Sequence, residues 1–179
     1  MKGLLRISSA VDFVSARFGE LANWFVLAAV LISAVNATVR YVFSYSSNAF
    51  LEIQWYLFGA VVLLGAAHTL CKNEHVRVDL VYSSVSHRGR LWIDVFGLSF
   101  FLIPVGCYLT KLSVPFFLAS FENGEISNNA GGLILWPVKL MLPLGFVLIT
   151  AQGISELIKR ISALAGLSDA AIDYERPLQ

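Results

Sequence analysis

Glu52-Ile-Gln-Trp-Tyr-Leu-Phe-Gly-Ala-Val-Val-Leu-Leu-Gly-Ala-Ala-His-Thr-Leu-Cys71, followed by Lys72-Asn-Glu-His-Val-Arg-Val-Asp79, decides how the chain is read. One carboxylate opens the stretch, and the run from Ile53 to Cys71 carries no Asp, Glu, Lys or Arg. At 1.5 Å per helical residue such a run is about long enough to cross a bilayer. Trp55 and Tyr56 stand near its first end, where amphipathic rings favour the headgroup level. Gly59, Gly65, Ala66 and Ala67 leave room for a second helix to approach. The run stops abruptly at a polar hinge containing Lys72, Glu74, His75, Arg77 and Asp79.

Three further runs of the same kind flank it. The first extends over about 21–43, with no charge between Glu20 and Arg40. Ala29, Ser33 and Ala37 form a small-residue seam on it, and Asn36 and Arg40 lie beside that seam. An Asn inside lipid needs a polar partner, so this face is expected to meet protein. Arg40 reads equally as an interfacial anchor or as one half of an ion pair. A third span covers about 91–118, with Asp94 one turn inside it, Lys111 near its far end and Pro115 where it either bends or continues. A fourth covers about 134–158, opened by Trp136 and Pro137 and expected to kink at Pro143. Lys139 reaches outward or pairs with a carboxylate. Gln152, Ser155 and Glu156 form a polar cluster, and Glu156 and Arg160 have the favourable i, i+4 order.

Composition agrees. Of 179 residues, 57% are hydrophobic and 14% charged, against about 25% charged in a soluble domain. A net charge of +1 offers nothing to nucleic acid. Cys71 and Cys107 fall near opposite faces of the membrane in this reading, too far apart for a disulfide. Residues 1–20 are too polar to cross. Leu4, Ile7, Val11, Val14 and Phe18 recur at helical spacing, which suits an amphipathic helix in the interface plane. Val35-Asn36-Ala37 resembles a cleavage site, but the apolar run before it is longer than that of a signal peptide, and we read the segment as retained. The acidic loop from Glu122 to Gly132 is expected to be flexible, and 161–179 to be a cytoplasmic tail.

Lys and Arg concentrate at the N-terminus, in the hinge segment and after the fourth span, while the first and third connections have none outside the span ends. The positive-inside rule then places both termini and the hinge in the cytoplasm. The expected fold is therefore an all-α integral membrane protein of four transmembrane helices with an N-terminal interfacial helix. No phosphate-binding Gly-rich loop, Cys-x-x-Cys, His-Glu-x-x-His or nucleophile elbow is present, so no catalytic residue, cofactor site or metal site is expected in this chain. His75 and His87 are too isolated to suggest a metal site.

The ordered motifs also carry a resemblance. Glu74-His75-Val76-Arg77-Val78-Asp79, after a span that opens with Glu and Trp and contains Leu-Leu-Gly-Ala-Ala, resembles the small membrane subunit of TRAP (tripartite ATP-independent periplasmic) transporters. Asn36-x-x-x-Arg40-Tyr41-Val42-Phe43 is similar to the end of that family's first span. Leu135-Trp136-Pro137-Val138-Lys139, Pro143 and Gln152-Gly153-Ile154-Ser155-Glu156 resemble its last span, in the branch labelled mannitol or chloroaromatic. Ala49-Phe50-Leu51 departs from it, lacking the Trp and the first acidic residue of many relatives.

The resemblance implies a non-enzymatic scaffold subunit in a bacterial or archaeal inner membrane. Its partners would be lipid, a large elevator-type membrane subunit holding the sodium and solute sites, and a periplasmic substrate-binding protein. The solute would be a small organic acid or related compound. On this view Ala29, Ser33, Asn36, Trp55, Gly59 and Ala66 are candidates for subunit contact. Arg40, Glu52, Lys111 and Lys139 are candidates for docking or anchoring at the periplasmic end. His75, Arg77 and Asp79 pin the cytoplasmic hinge. A self-assembling exporter or channel would need an acidic residue deep in a span, and a membrane enzyme would need polar groups converging on one pocket; the sequence shows neither.

Overall fold

The computed structural model describes residues 2–75 and 84–167; Arg77 and Asp79 of the hinge lie outside the described residues. Its elements are α1 (Lys2–Phe43), α2 (Asn48–Cys71), α3 (His87–Gly97), a single π-helical stretch (Leu98–Leu102), α4 (Ile103–Glu122) and α5 (Trp136–Leu164). Because α3, the π stretch and α4 run on without a break, four helices are long and apolar enough to cross a membrane. Sequential helices alternate in direction. α5 sits at the centre of the bundle and touches α1, α2, α3 and α4.

Local chemistry sets the boundaries. Ser47 caps α2, accepting from the Ala49 amide at 3.3 Å, and Ser86 caps α3 through the Gly89 amide at 3.3 Å. The third helix does not break at Pro115, which stays within α4. The irregularity falls thirteen or more residues earlier, at the π stretch, whose residue Phe100 stands four before Pro104. Proline has no N–H to return to that carbonyl and its ring crowds it, so one wider turn relieves both conflicts.

Residues 1–20 mark a change of composition, not of helix: α1 continues through them for 42 residues, about 63 Å. Their orientation inverts the soluble pattern. Leu4, Ile7 and Val14 are exposed, while Ser8 and Ser15 are buried against α5. Apolar side chains can face lipid at no cost, whereas hydroxyls must find partners inside.

The core is thin and built of small residues: Ala60, Leu64, Ala67 and Leu148, with Phe18, Phe25, Met141 and Leu144 closing round it. At Gly145 α5 lies close to the backbone of α2. A Cβ there would come within 2.9 Å of the Leu63 carbonyl oxygen on α2, so only a hydrogen fits. Gly59 also faces inward, toward Val138 of α5. A Cβ there would stand 3.9 Å from the Val138 side chain, an ordinary contact.

Candidate functional site: the two polar ends of the bundle

The bundle gathers its charged groups at two ends. At the hinge end, Gln152, Ser155, Glu156, Lys159 and Arg160 fall on one face of α5 and meet α1 and α3. The Asp12 carboxylate accepts from Gln152 Nε2 at 2.8 Å, Ser155 Oγ at 3.1 Å and Lys159 Nζ at 2.8 Å. Lys159 also donates to Glu156 at 2.8 Å. Arg160 joins Glu156 through Nη1 and Asp94 through Nε, the latter at 2.9 Å. Ser8 and Ser155 share a 2.7 Å hydroxyl contact, and Ser15 donates to Gln152 Oε1 at 2.7 Å. Gln152 is 0%, Glu156 4% and Arg160 5% exposed. Three carboxylates and two cations thus latch three helices together. Such a network holds only when every member is paired.

The sequence points to the Glu156–Arg160 pair, and to Asp94 as reaching the interface or Arg90, but not to the links that join Asp12 and Asp94 to α5 from distant segments. Asp94 turns to Arg160 across the bundle. Ligand atoms of Asp12, Cys71 and Glu156 lie within 4.8 Å of one another, close enough for a metal ion. The Lys159 ammonium, hydrogen-bonded to both carboxylates, already supplies the positive charge there. Nothing in the network is arranged as a nucleophile or an open general base. His75 is exposed just beyond it.

At the opposite end, the connection between α4 and α5 is an ordered hairpin rather than the flexible loop expected. Ile126 and Ile134 form an antiparallel bridge, reinforced by Ser127 N to Leu133 O at 2.9 Å and Leu135 N to Glu125 O at 2.9 Å. The turn closes tightly at Gly132, where a Cβ would lie 2.3 Å from the Ser127 carbonyl oxygen. Glu52 organises it. This carboxylate, 2% exposed, accepts from Ser127 Oγ, from Asn129 Nδ2 at 2.6 Å and from the Leu133 amide at 2.8 Å. Both of its oxygens are engaged by groups of its own chain. Lys139 pairs with Glu125 and lies 4.1 Å from the centre of the Phe116 ring. The ammonium holds the Glu125 carboxyl below its usual range.

Lys111, Trp55, Ser33 and Ala37 are exposed, Ala29 and Ala66 half-buried. Arg40 is exposed with no ion pair or hydrogen bond to the described residues, and Asn36 is buried beside it. Cys71 and Cys107 are both free. A separate groove of about 780 Å³ runs along the π stretch, with Phe101, Leu102 and Phe146 on its walls and the Asp94–Arg160 pair at one end. The rest of its lining is almost wholly apolar.

Residues 29–163 match the family model of the tripartite ATP-independent periplasmic transporters, DctQ component. The chain belongs to this family. The match takes in the second half of α1, the other three spans, Glu52 and its hairpin, and the α3 and α5 residues of the latch, but not Ser8, Asp12 or Ser15. No curated protein and no solved structure matches the chain. The subunit is therefore the small membrane component of a transporter and not an enzyme. The match does not reach the finer branch suggested by the last span.

Proposed function

We propose that this subunit is the static scaffold of a secondary transporter that imports a small organic acid or related solute across a bacterial or archaeal inner membrane. The solute and sodium sites belong to a large elevator-type membrane subunit, and a periplasmic binding protein delivers the solute. The observation that carries this reading is the separation of the two polar ends. Residues 21–39, 53–71, 95–110 and 140–151 contain no Asp, Glu, Lys or Arg, so the middle of every span is free of fixed charge. A carboxylate solute would need a cation or an exposed helix N-terminus in a cavity, and sodium would need several converging oxygens. The hinge-end latch and the Glu52-locked hairpin make a rigid body against which a mobile subunit could slide.

The hinge end is proposed to be cytoplasmic. Arg6, Arg17, Lys72, Arg88, Arg90, Lys159 and Arg160 all belong to helix ends and connections on that side. In a chain whose native cysteines are replaced, a cysteine at Ser84 is then protected from impermeant reagents in intact cells and one at Asn123 is labelled. The opposite pattern would invert the orientation. The scaffold role is tested by reconstituting the large subunit and binding protein in liposomes with and without this chain. Uptake of the solute captured by the binding protein is expected only from the complete set, and uptake by this chain alone would refute the proposal.

A further inference from the structure

The loop-end half of α1 and the first turns of α2 border an open groove of about 550 Å³, lined by Ser33, Asn36, Ala37, Arg40, Leu51 and Gln54. Two polar groups in it are unmatched. Asn36 is 7% exposed and its Oδ1 has no hydrogen-bond partner. Arg40, one helical turn on, touches no carboxylate among the described residues. This contrasts with the charges nearby. Glu52 and Lys139, at the same end, are both satisfied within the chain. An amide buried without a partner inside a span is costly and points to a group supplied from outside, and the exposed Arg40 at the end of the same span is placed to meet an acidic group on that neighbour.

Three occupants can be compared by chemistry. An acyl chain offers nothing to the Asn36 amide and has no need of the small side chains at Ser33 and Ala37. A second copy related by a two-fold axis along the membrane normal would bring the same face to itself at the same depth, setting Arg40 against Arg40. A helix from a different protein can match all three features: close backbone approach over Ser33 and Ala37, a polar side chain for Asn36, and a carboxylate for Arg40. We propose that this groove receives a transmembrane helix of the large membrane subunit, with an Asp or Glu opposite Arg40 and a hydrogen-bonding side chain opposite Asn36. The assignment rests on the scaffold reading above, and it places the subunit contact on the α1–α2 face rather than on the aromatic face of the third helix.

The test uses the assembled complex with a photo-crosslinking benzoylphenylalanine at Ser33, at Ala37 or, on the third helix, at Phe100, which is also exposed. Adducts from Ser33 and Ala37 are expected to map to a large-subunit helix containing an acidic residue, with none from Phe100. Arg40→Ala and Arg40→Glu should lower the yield of co-purified large subunit about tenfold or more, and Arg40→Lys should restore part of it. Because Arg40 has no partner in its own chain, the isolated subunit should melt at the same temperature in all three variants. If the unaltered chain fails to co-purify with any large membrane subunit, the scaffold reading itself falls. If it co-purifies but crosslinks from Phe100 and not from Ser33 or Ala37, only the groove assignment falls. Adducts confined to lipid or to a second copy of this chain, or full co-purification of Arg40→Glu, would overturn the assignment likewise.

Discussion

The two ends of the bundle are built from similar residues and solve different problems. At the hinge end, Asp12, Asp94, Glu156, Lys159 and Arg160 come from three helices and are satisfied by one another. At the loop end, Glu52 and Lys139 are satisfied by a single hairpin, while Arg40 and Asn36 remain unmatched. The first arrangement fastens the chain to itself. The second fastens a loop and leaves one flank of α1 incomplete. The scaffold role proposed above calls for both.

The sharpest way to break the contrast is at Arg160. Arg160→Met removes the buried guanidinium that Glu156 and Asp94 share, leaving Glu156 with Lys159, and unfolding of the isolated subunit should become easier by about 3–5 kcal/mol. Adding Glu156→Gln should recover part of the loss, so the double variant is expected to be less destabilised than the sum of the two single changes. Strict additivity in thermal or denaturant unfolding would show that the latch is not a coupled unit. Next comes the crossing that holds the middle. Gly145→Ala places a methyl group against the Leu63 backbone. It should cost about 1–3 kcal/mol by overpacking, with the polar ends unchanged. Stability equal to that of the parent would mean that α2 and α5 can separate freely.

How far these features were legible depended on sequence distance. The four spans were plain because each is a charge-free run bounded by charges, and Glu156–Arg160 was plain because its partners are four residues apart. The same latch hid Asp12, whose partners lie 140 or more positions along the chain. Ser8 and Ser15 give no local signal of their burial, because polarity usually means solvent. Next to lipid it can mean the interior. The hairpin was read as flexible from Glu122-Asn123-Gly124 and Gly131-Gly132. Its order comes from Glu52, a residue some 75 positions earlier that no local pattern connects to it. Pro104 escaped notice because it lies in an uninterrupted apolar run, although its position relative to Phe100 accounts for the π stretch.

Smaller effects separate the ends further. Glu52→Gln keeps the shape of the side chain but turns one acceptor into a donor facing either Asn129 Nδ2 or the Leu133 amide. Amide exchange should quicken at Ser127 and Leu133 while the hinge end of α5 keeps its protection. Equal exchange at both ends would remove the distinction between latch and hairpin. The smallest expected effect is the pH response of Glu125. Its carboxyl titrates below the reference value of 4.5, chiefly through its hydrogen bond to Lys139. Its stabilising contribution is therefore complete above about pH 4.5 and disappears as the pH falls through the lower, folded-state value. Melting temperature in that acidic window should fall slightly less steeply for Lys139→Met than for the parent. Identical slopes would show that the pair contributes nothing to folding.

Solute discrimination by the reconstituted transporter tests the central claim most directly. Complexes of the large subunit and binding protein with parent, Arg40→Ala, Lys111→Ala or Gly145→Ala forms of this chain would be compared for uptake of the solute and of a close analogue, at several sodium concentrations. The account predicts lower rates or less assembled complex, with the solute-to-analogue ratio and the sodium dependence unchanged. A substitution in this chain that shifts either the ratio or the sodium dependence would place transport chemistry inside the subunit and contradict the account.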